Sequence, residues 1–144
     1  MVAVAALSLA ASQFMDYRSV AAGESDYSAV EGSPPAPRVE RDAAGSAHAY
    51  VLLPVALVAL VALRAALVRR RPEPAWLVAG LGAASVLVAL AIDLPAALDE
   101  GATAGLYEGA RASLAYGFWV ELFAALALIG AGGAVAIGLR RGWW

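Results

Sequence analysis

Residues 122–139 read LFAALALIGAGGAVAIGL, eighteen positions without a charge, and Arg140-Arg141-Gly142-Trp143-Trp144 follows at once. At a helical rise of 1.5 Å per residue the run covers about 27 Å, close to the ~30 Å hydrocarbon core of a bilayer. A water-facing helix of that length carries a polar stripe; this one has no polar side chain at all. Lipid is the solvent that such a segment fits.

Two more stretches behave the same way. Residues 75–92 read AWLVAGLGAASVLVALAI, again without a charge, and Asp93-Leu94-Pro95 follows. Residues 49–68 read AYVLLPVALVALVALRAALV. Pro54 falls in the first turns of this segment, where a missing N–H costs least. Arg64 lies near the far end and can reach the interface along its aliphatic stem. Arg69-Arg70-Arg71-Pro72 then ends the helix.

The rest of the composition agrees. Of 144 residues 62% are hydrophobic, against about 45–50% in soluble domains, and the length suits one domain over 1–144. Net charge is −2 and every basic residue is Arg, without the one-sided basic surface of a nucleic-acid binder. There is no Cys and one His, which excludes disulfides, thiolate sites and His-rich metal motifs. No phosphate-binding Gly loop and no ordered Ser/His/Asp set is present. The expectation is a non-enzymatic protein with no cofactor-binding residue and no metal motif.

The first apolar segment, Val2 to Met15, is shorter, about 21 Å if helical. A signal peptide lacks support because no basic region precedes the run. A helix that starts further upstream, or a short span that thins the bilayer, are the other readings; a genuine first span is the one adopted. The expected fold is therefore all-α, a transmembrane helical bundle of four spans, at about 2–16, 49–68, 75–94 and 117–139, with three spans as the alternative. Residues 17–47, broken by Pro34, Pro35 and Pro37, read as an outer solvated loop. Residues 98–116 read as an outer interfacial amphipathic helix, on the apolar row Leu98, Ala102, Leu106, Ala110 and Leu114.

Arginine density sets the expected orientation. The Arg69–Arg71 link and the Arg140-Arg141 tail are short and basic, so the link and the C-terminus belong in the cytoplasm of a bacterial inner membrane. Arg18, Arg38, Arg41 and Arg111 are spread among many acidic residues on the outer side. Trp76, Trp143 and Trp144 mark the inner interface, and Tyr50, Tyr116, Phe118 and Trp119 the outer one.

Two constellations stand out. Small residues recur every fourth position at Gly101, Gly105, Gly109, Ser113 and Gly117, then at Gly130, Ala134 and Gly138, with Gly80 and Ala84 as a partner stripe. Such rows let helices approach closely, within one bundle or in a homo-oligomer or larger membrane complex. The second comes from depth: Asp16, His48, Asp93 and Glu121 each fall near the outer end of a span. Ionisable groups at that depth are expensive and mark ion or proton paths, whereas Asp16, His48 and Asp93, near helix ends, also suit simple contact with headgroups and water. Only Glu121 lies clearly inside an apolar run.

The segments Ala11-Ser12-Gln13-Phe14-Met15-Asp16-Tyr17-Arg18, Gly45-Ser46-Ala47-His48, Asp93-Leu94-Pro95 and Gly117-Phe118-Trp119-Val120-Glu121 resemble small multi-span membrane proteins of GC-rich bacteria, a resemblance that implies no activity. The long first loop and shorter second one are similar in outline to claudin-type proteins, but their Trp and paired-Cys signature is missing. The leading expectation is a structural or accessory subunit that packs against itself or a larger complex, and the alternative is a proton- or cation-handling transporter or channel using Glu121, Asp93, His48 and Asp16.

Overall fold

The structure is a computed structural model that describes residues 1–21, 41–48, 50–99 and 111–143. In chain order the elements are α1 (Val2–Ser12), β1 (Arg18–Ala21), β2 (Arg41–Ala44), α2 (Leu52–Arg69), α3 (Glu73–Leu98), β3 (Arg111–Leu114) and α4 (Tyr116–Arg140). α2, α3 and α4 are each long and apolar enough to cross a membrane. α1 has 11 residues, about 16 Å of helix and half of a hydrocarbon core. The first helix therefore ends at Ser12 rather than Asp16, and Gln13 to Met15 form a turn.

The helices present apolar residues outward as well as inward. Only 28%, 33% and 33% of the apolar windows of α2, α3 and α4 are buried. Leu57, Val61, Leu77, Leu87, Phe123 and Leu126 stand on the open surface. Burying an apolar side chain from water is worth about 1.5–3 kcal/mol, so this outer face suits lipid.

Inside, the packing depends on small side chains. α3 and α4 form the principal pair, with α1 lying on α4 and α2 bridging α3 and α1. At Gly82 an added Cβ would stand 2.7 Å from the Ala125 carbonyl oxygen, and at Gly132 one would stand 2.8 Å from the Ala79 nitrogen. The two backbones touch at these glycines. Gly80 and Gly130, by contrast, have open space at the Cβ position, and Ala84 and Ala134 are exposed. Four residues of the proposed small-residue stripes thus face out of the bundle, while Gly138 is buried. Gly101, Gly105 and Gly109 lie outside the described residues.

One end of the bundle carries a three-stranded antiparallel sheet in the order β2-β1-β3, in which Arg18 faces Ala44 on one side and Leu114 on the other. The Ser113 hydroxyl donates to the Ser19 carbonyl at 3.1 Å. The chain is mostly helical as expected, and this sheet adds strands to it. The stretch read as a solvated loop (17–47) supplies Arg18–Ala21 and Arg41–Ala44, and Arg111–Leu114, read as part of an interfacial helix (98–116), is a strand. Residues 100–110 of that stretch lie outside the described residues. Along β3 burial alternates residue by residue, the period of a strand. At Arg111–Leu114 the apolar row at every fourth position concealed this shorter period.

α3 does not stop at Pro95. Residues Ala89–Asp93 form a π-helical turn in which the Leu94 N–H donates to the Ala89 carbonyl, five residues back. Pro95 removes the N–H that the Ala91 carbonyl would otherwise accept, and the wider turn carries the helix past it. It also sets direction. Ser85, Ala89, Asp93 and Ala97 are all buried, yet four-residue steps drift by about 40° each on a regular α-helix. The π turn keeps Asp93 on the inward face. Phe118, expected at the outer interface, is buried against Tyr17 and Ala89, while Tyr50, Tyr116 and Trp119 are exposed.

A buried His-Asp-Glu cluster beneath the sheet

Tyr17, just before β1, is the centre of the sheet end. The Ala115 N–H donates to the Tyr17 carbonyl at 2.9 Å and the Gly117 N–H to the Asp16 carbonyl at 2.8 Å, which tie the start of α4 to this segment. A Cβ at Gly117 would stand 2.6 Å from the Tyr17 ring, so only glycine leaves room for it. Glu121 is one helical turn further on the same face, where its Oε2 accepts the Tyr17 hydroxyl.

Around this pair the polar groups close into one network. His48 Nδ1 lies 2.7 Å from Asp93 Oδ2, and His48 Nε2 lies 2.9 Å from Gln13 Oε1 and 3.8 Å from Glu121 Oε2. Asp93 Oδ1 accepts the Ala47 N–H at 3.0 Å. Gln13 Nε2 stands 3.1 Å from Ser12 Oγ and 3.0 Å from the Tyr17 hydroxyl oxygen. Ser12 Oγ in turn donates to the Leu9 carbonyl at 2.8 Å. The side chains of His48, Asp93 and Glu121 are 4%, 0% and 0% exposed, so water does not share these contacts.

Hydrogen counting assigns the proton positions. The Ser12 hydrogen is used on Leu9 and the Tyr17 hydrogen on Glu121, so both hydroxyl oxygens accept from the Gln13 amide nitrogen. That orients Gln13 Oε1 toward His48 Nε2, which must then carry a hydrogen. Nδ1 and Asp93 Oδ2, 2.7 Å apart, share a hydrogen. The cluster sets two carboxyl groups beside this one imidazole, and Glu121 Oε1 is buried with no hydrogen-bond partner among the described residues. Burial, and then the hydrogen bond to Glu121, hold the Tyr17 phenol well above the usual tyrosine range.

Three of the four ionisable residues singled out from depth, His48, Asp93 and Glu121, meet here. Asp16 does not: its side chain is exposed, and it contributes its backbone carbonyl instead. Ser12, Gln13 and Tyr17 escaped sequence reasoning because they are uncharged. Their signal was a Ser-Gln pair breaking an apolar run, with Tyr17 four positions after Gln13.

A cavity of about 210 Å³ adjoins the cluster, lined by Tyr17, Arg18, Gly45, Ala47, Asp93, Ala96 and Ala97. Arg18 Nη1 donates from its wall to the Asp99 carbonyl at 3.1 Å. Comparison with protein families, curated proteins and solved structures gives no match. The geometry alone carries the functional reading.

Proposed function

We propose that this chain is a small, non-enzymatic bundle of membrane helices that handles protons or cations through the His48–Asp93–Glu121 cluster. α2, α3 and α4 cross the bilayer in this reading, and α1 is embedded against α4 as the first of four membrane helices. The sheet lies on the outer side of a bacterial cytoplasmic membrane. Arg69–Arg71 and Arg140-Arg141, which the helix directions gather at the other end, lie in the cytoplasm.

The observation that carries this reading is the meeting of three buried ionisable groups within one hydrogen-bonded network, with one carboxylate oxygen left without a partner among the described residues. A buried polar atom without a hydrogen bond costs about 1–3 kcal/mol, and a purely architectural network has no reason to keep one. A proton or cation on Glu121 offsets both the unpaired oxygen and the excess negative charge. Such groups at membrane depth are characteristic of ion and proton sites, and a cavity lined by Tyr17 and Asp93 adjoins them.

Protein in sealed vesicles, driven by a pH or cation gradient and followed with an internal dye, tests this reading. Wild type takes up protons or cations, and Glu121→Gln reduces the rate at least tenfold at unchanged helix content. Equal rates for the two, or no uptake by wild type, count against it. A second reading, a self-associating or accessory subunit, draws on the outward-facing small residues Gly80, Ala84, Gly130 and Ala134, since in lipid such faces permit close helix contact.

A further inference from the structure

We infer that the cation is a divalent first-row transition ion of the Zn²⁺ type, bound between His48 Nε2, Glu121 and Gln13 Oε1, with Asp93 as the positioning residue. This rests on the cation-handling reading above and names its ligand. His48, Asp93 and Glu121 each offer a ligand atom, and these atoms lie within 4.8 Å of one another. Both Asp93 oxygens are engaged, one on His48 Nδ1 and one on the Ala47 N–H. Asp93 therefore acts on the ring, in the carboxylate–histidine pattern that aims the other nitrogen at a metal.

That other nitrogen faces two oxygens, Gln13 Oε1 at 2.9 Å and Glu121 Oε2 at 3.8 Å. Donors about 2.1 Å from a common ion stand about 3.0–3.4 Å apart at octahedral or tetrahedral angles. The two observed spacings bracket this range, so small side-chain shifts bring His48 Nε2 to ligand spacing with each oxygen. Glu121 Oε1, buried and without a hydrogen-bond partner among the described residues, supplies further donor capacity in the same place.

The charge and proton balance are simple. The ion displaces the hydrogen from His48 Nε2, which leaves as one proton to solvent, and two carboxylates then neutralise a divalent cation. Imidazole with oxygen donors and no sulfur suits zinc, copper, iron, cobalt or nickel, whereas magnesium and calcium take oxygen alone.

Calorimetry with Zn²⁺ on the full chain in detergent, alongside the visible absorption of Co²⁺, tests the inference. Wild type binds one Zn²⁺ per chain with release of one proton, and excess Mg²⁺ does not compete. Glu121→Gln weakens binding at least a hundredfold and Asp93→Asn about tenfold to a hundredfold. Because a variant can fail to fold, wild type labelled with ¹⁵N-histidine gives an independent reading: Zn²⁺ moves the Nε2 resonance of the single His and leaves Nδ1 bonded to Asp93. No Zn²⁺ binding, or binding that leaves Nε2 and the Glu121 variant unaffected, overturns the inference. If that happens while proton uptake still depends on Glu121, the proton-handling reading stands without the metal; if uptake is also absent, both fall.

Discussion

Asp93→Ala lowers the stability of the folded chain by about 3–5 kcal/mol, the loss expected when one partner of a buried, hydrogen-bonded histidine–carboxyl pair is removed. The side chain is fully buried against His48 at 2.7 Å, and nothing else described accepts from Nδ1. The Ala47 N–H, donated to the other oxygen at 3.0 Å, loses its acceptor as well. Asp93→Asn loses less than Asp93→Ala, because its carbonyl oxygen still serves one of the two donors. Asp16→Ala, which removes an exposed carboxylate and leaves the backbone contact to Gly117 intact, shifts stability by less than about 0.5 kcal/mol. Denaturant titration in micelles, read by circular dichroism, compares the three. Equal losses for Asp93→Ala and Asp16→Ala would remove the buried network from the account.

Gly82→Leu is the second large effect. Its Cβ alone would come 2.7 Å from the Ala125 carbonyl oxygen and 2.9 Å from the Ile129 nitrogen. Backbone atoms do not rotate away as a side-chain tip does, so α3 and α4 must separate. The cost reaches the upper part of the 1–3 kcal/mol range typical of overpacking, about 3 kcal/mol. Gly80→Leu sits two residues away with open space around it, and it leaves the fold intact. The pair also weighs the self-association reading: Gly80→Leu disrupts a dimer formed through the outward stripe while Gly82→Leu disrupts the bundle itself. Thermal unfolding and cross-linking in detergent separate the two. A Gly82→Leu protein as stable as wild type contradicts the close α3–α4 approach.

α3 and α4 were legible because an uncharged run of eighteen residues admits few other structures, and α2 because its single charge, Arg64, lies near its end. Their neighbours were less so. Gly80 and Gly82 are indistinguishable in an Ala- and Gly-rich sequence; which of them faces α4 depends on helix rotation, and stripes chosen by spacing picked the outward face at Gly80 and Gly130. β3 was read as helix because Leu98, Ala102, Leu106, Ala110 and Leu114 fit a period of four, while the pairing that makes Arg111–Leu114 a strand is with Arg18–Ala21, far away in the chain. Depth along the helix brought His48, Asp93 and Glu121 to one level without saying that they touch. The π turn at Ala89–Asp93 aims Asp93 inward, and Gly117 admits Tyr17; neither has a period to read.

The single histidine of this chain is buried inside the bundle and hydrogen-bonded at both ring nitrogens. Nitrogen-15 NMR of histidine-labelled protein in lipid measures this directly, with one residue to observe. Two hydrogen-bonded ring nitrogens in slow exchange with water are expected, the Nδ1 signal changing in Asp93→Asn and the Nε2 signal in Gln13→Leu. A single averaged imidazole in fast exchange, indifferent to both substitutions, would contradict it.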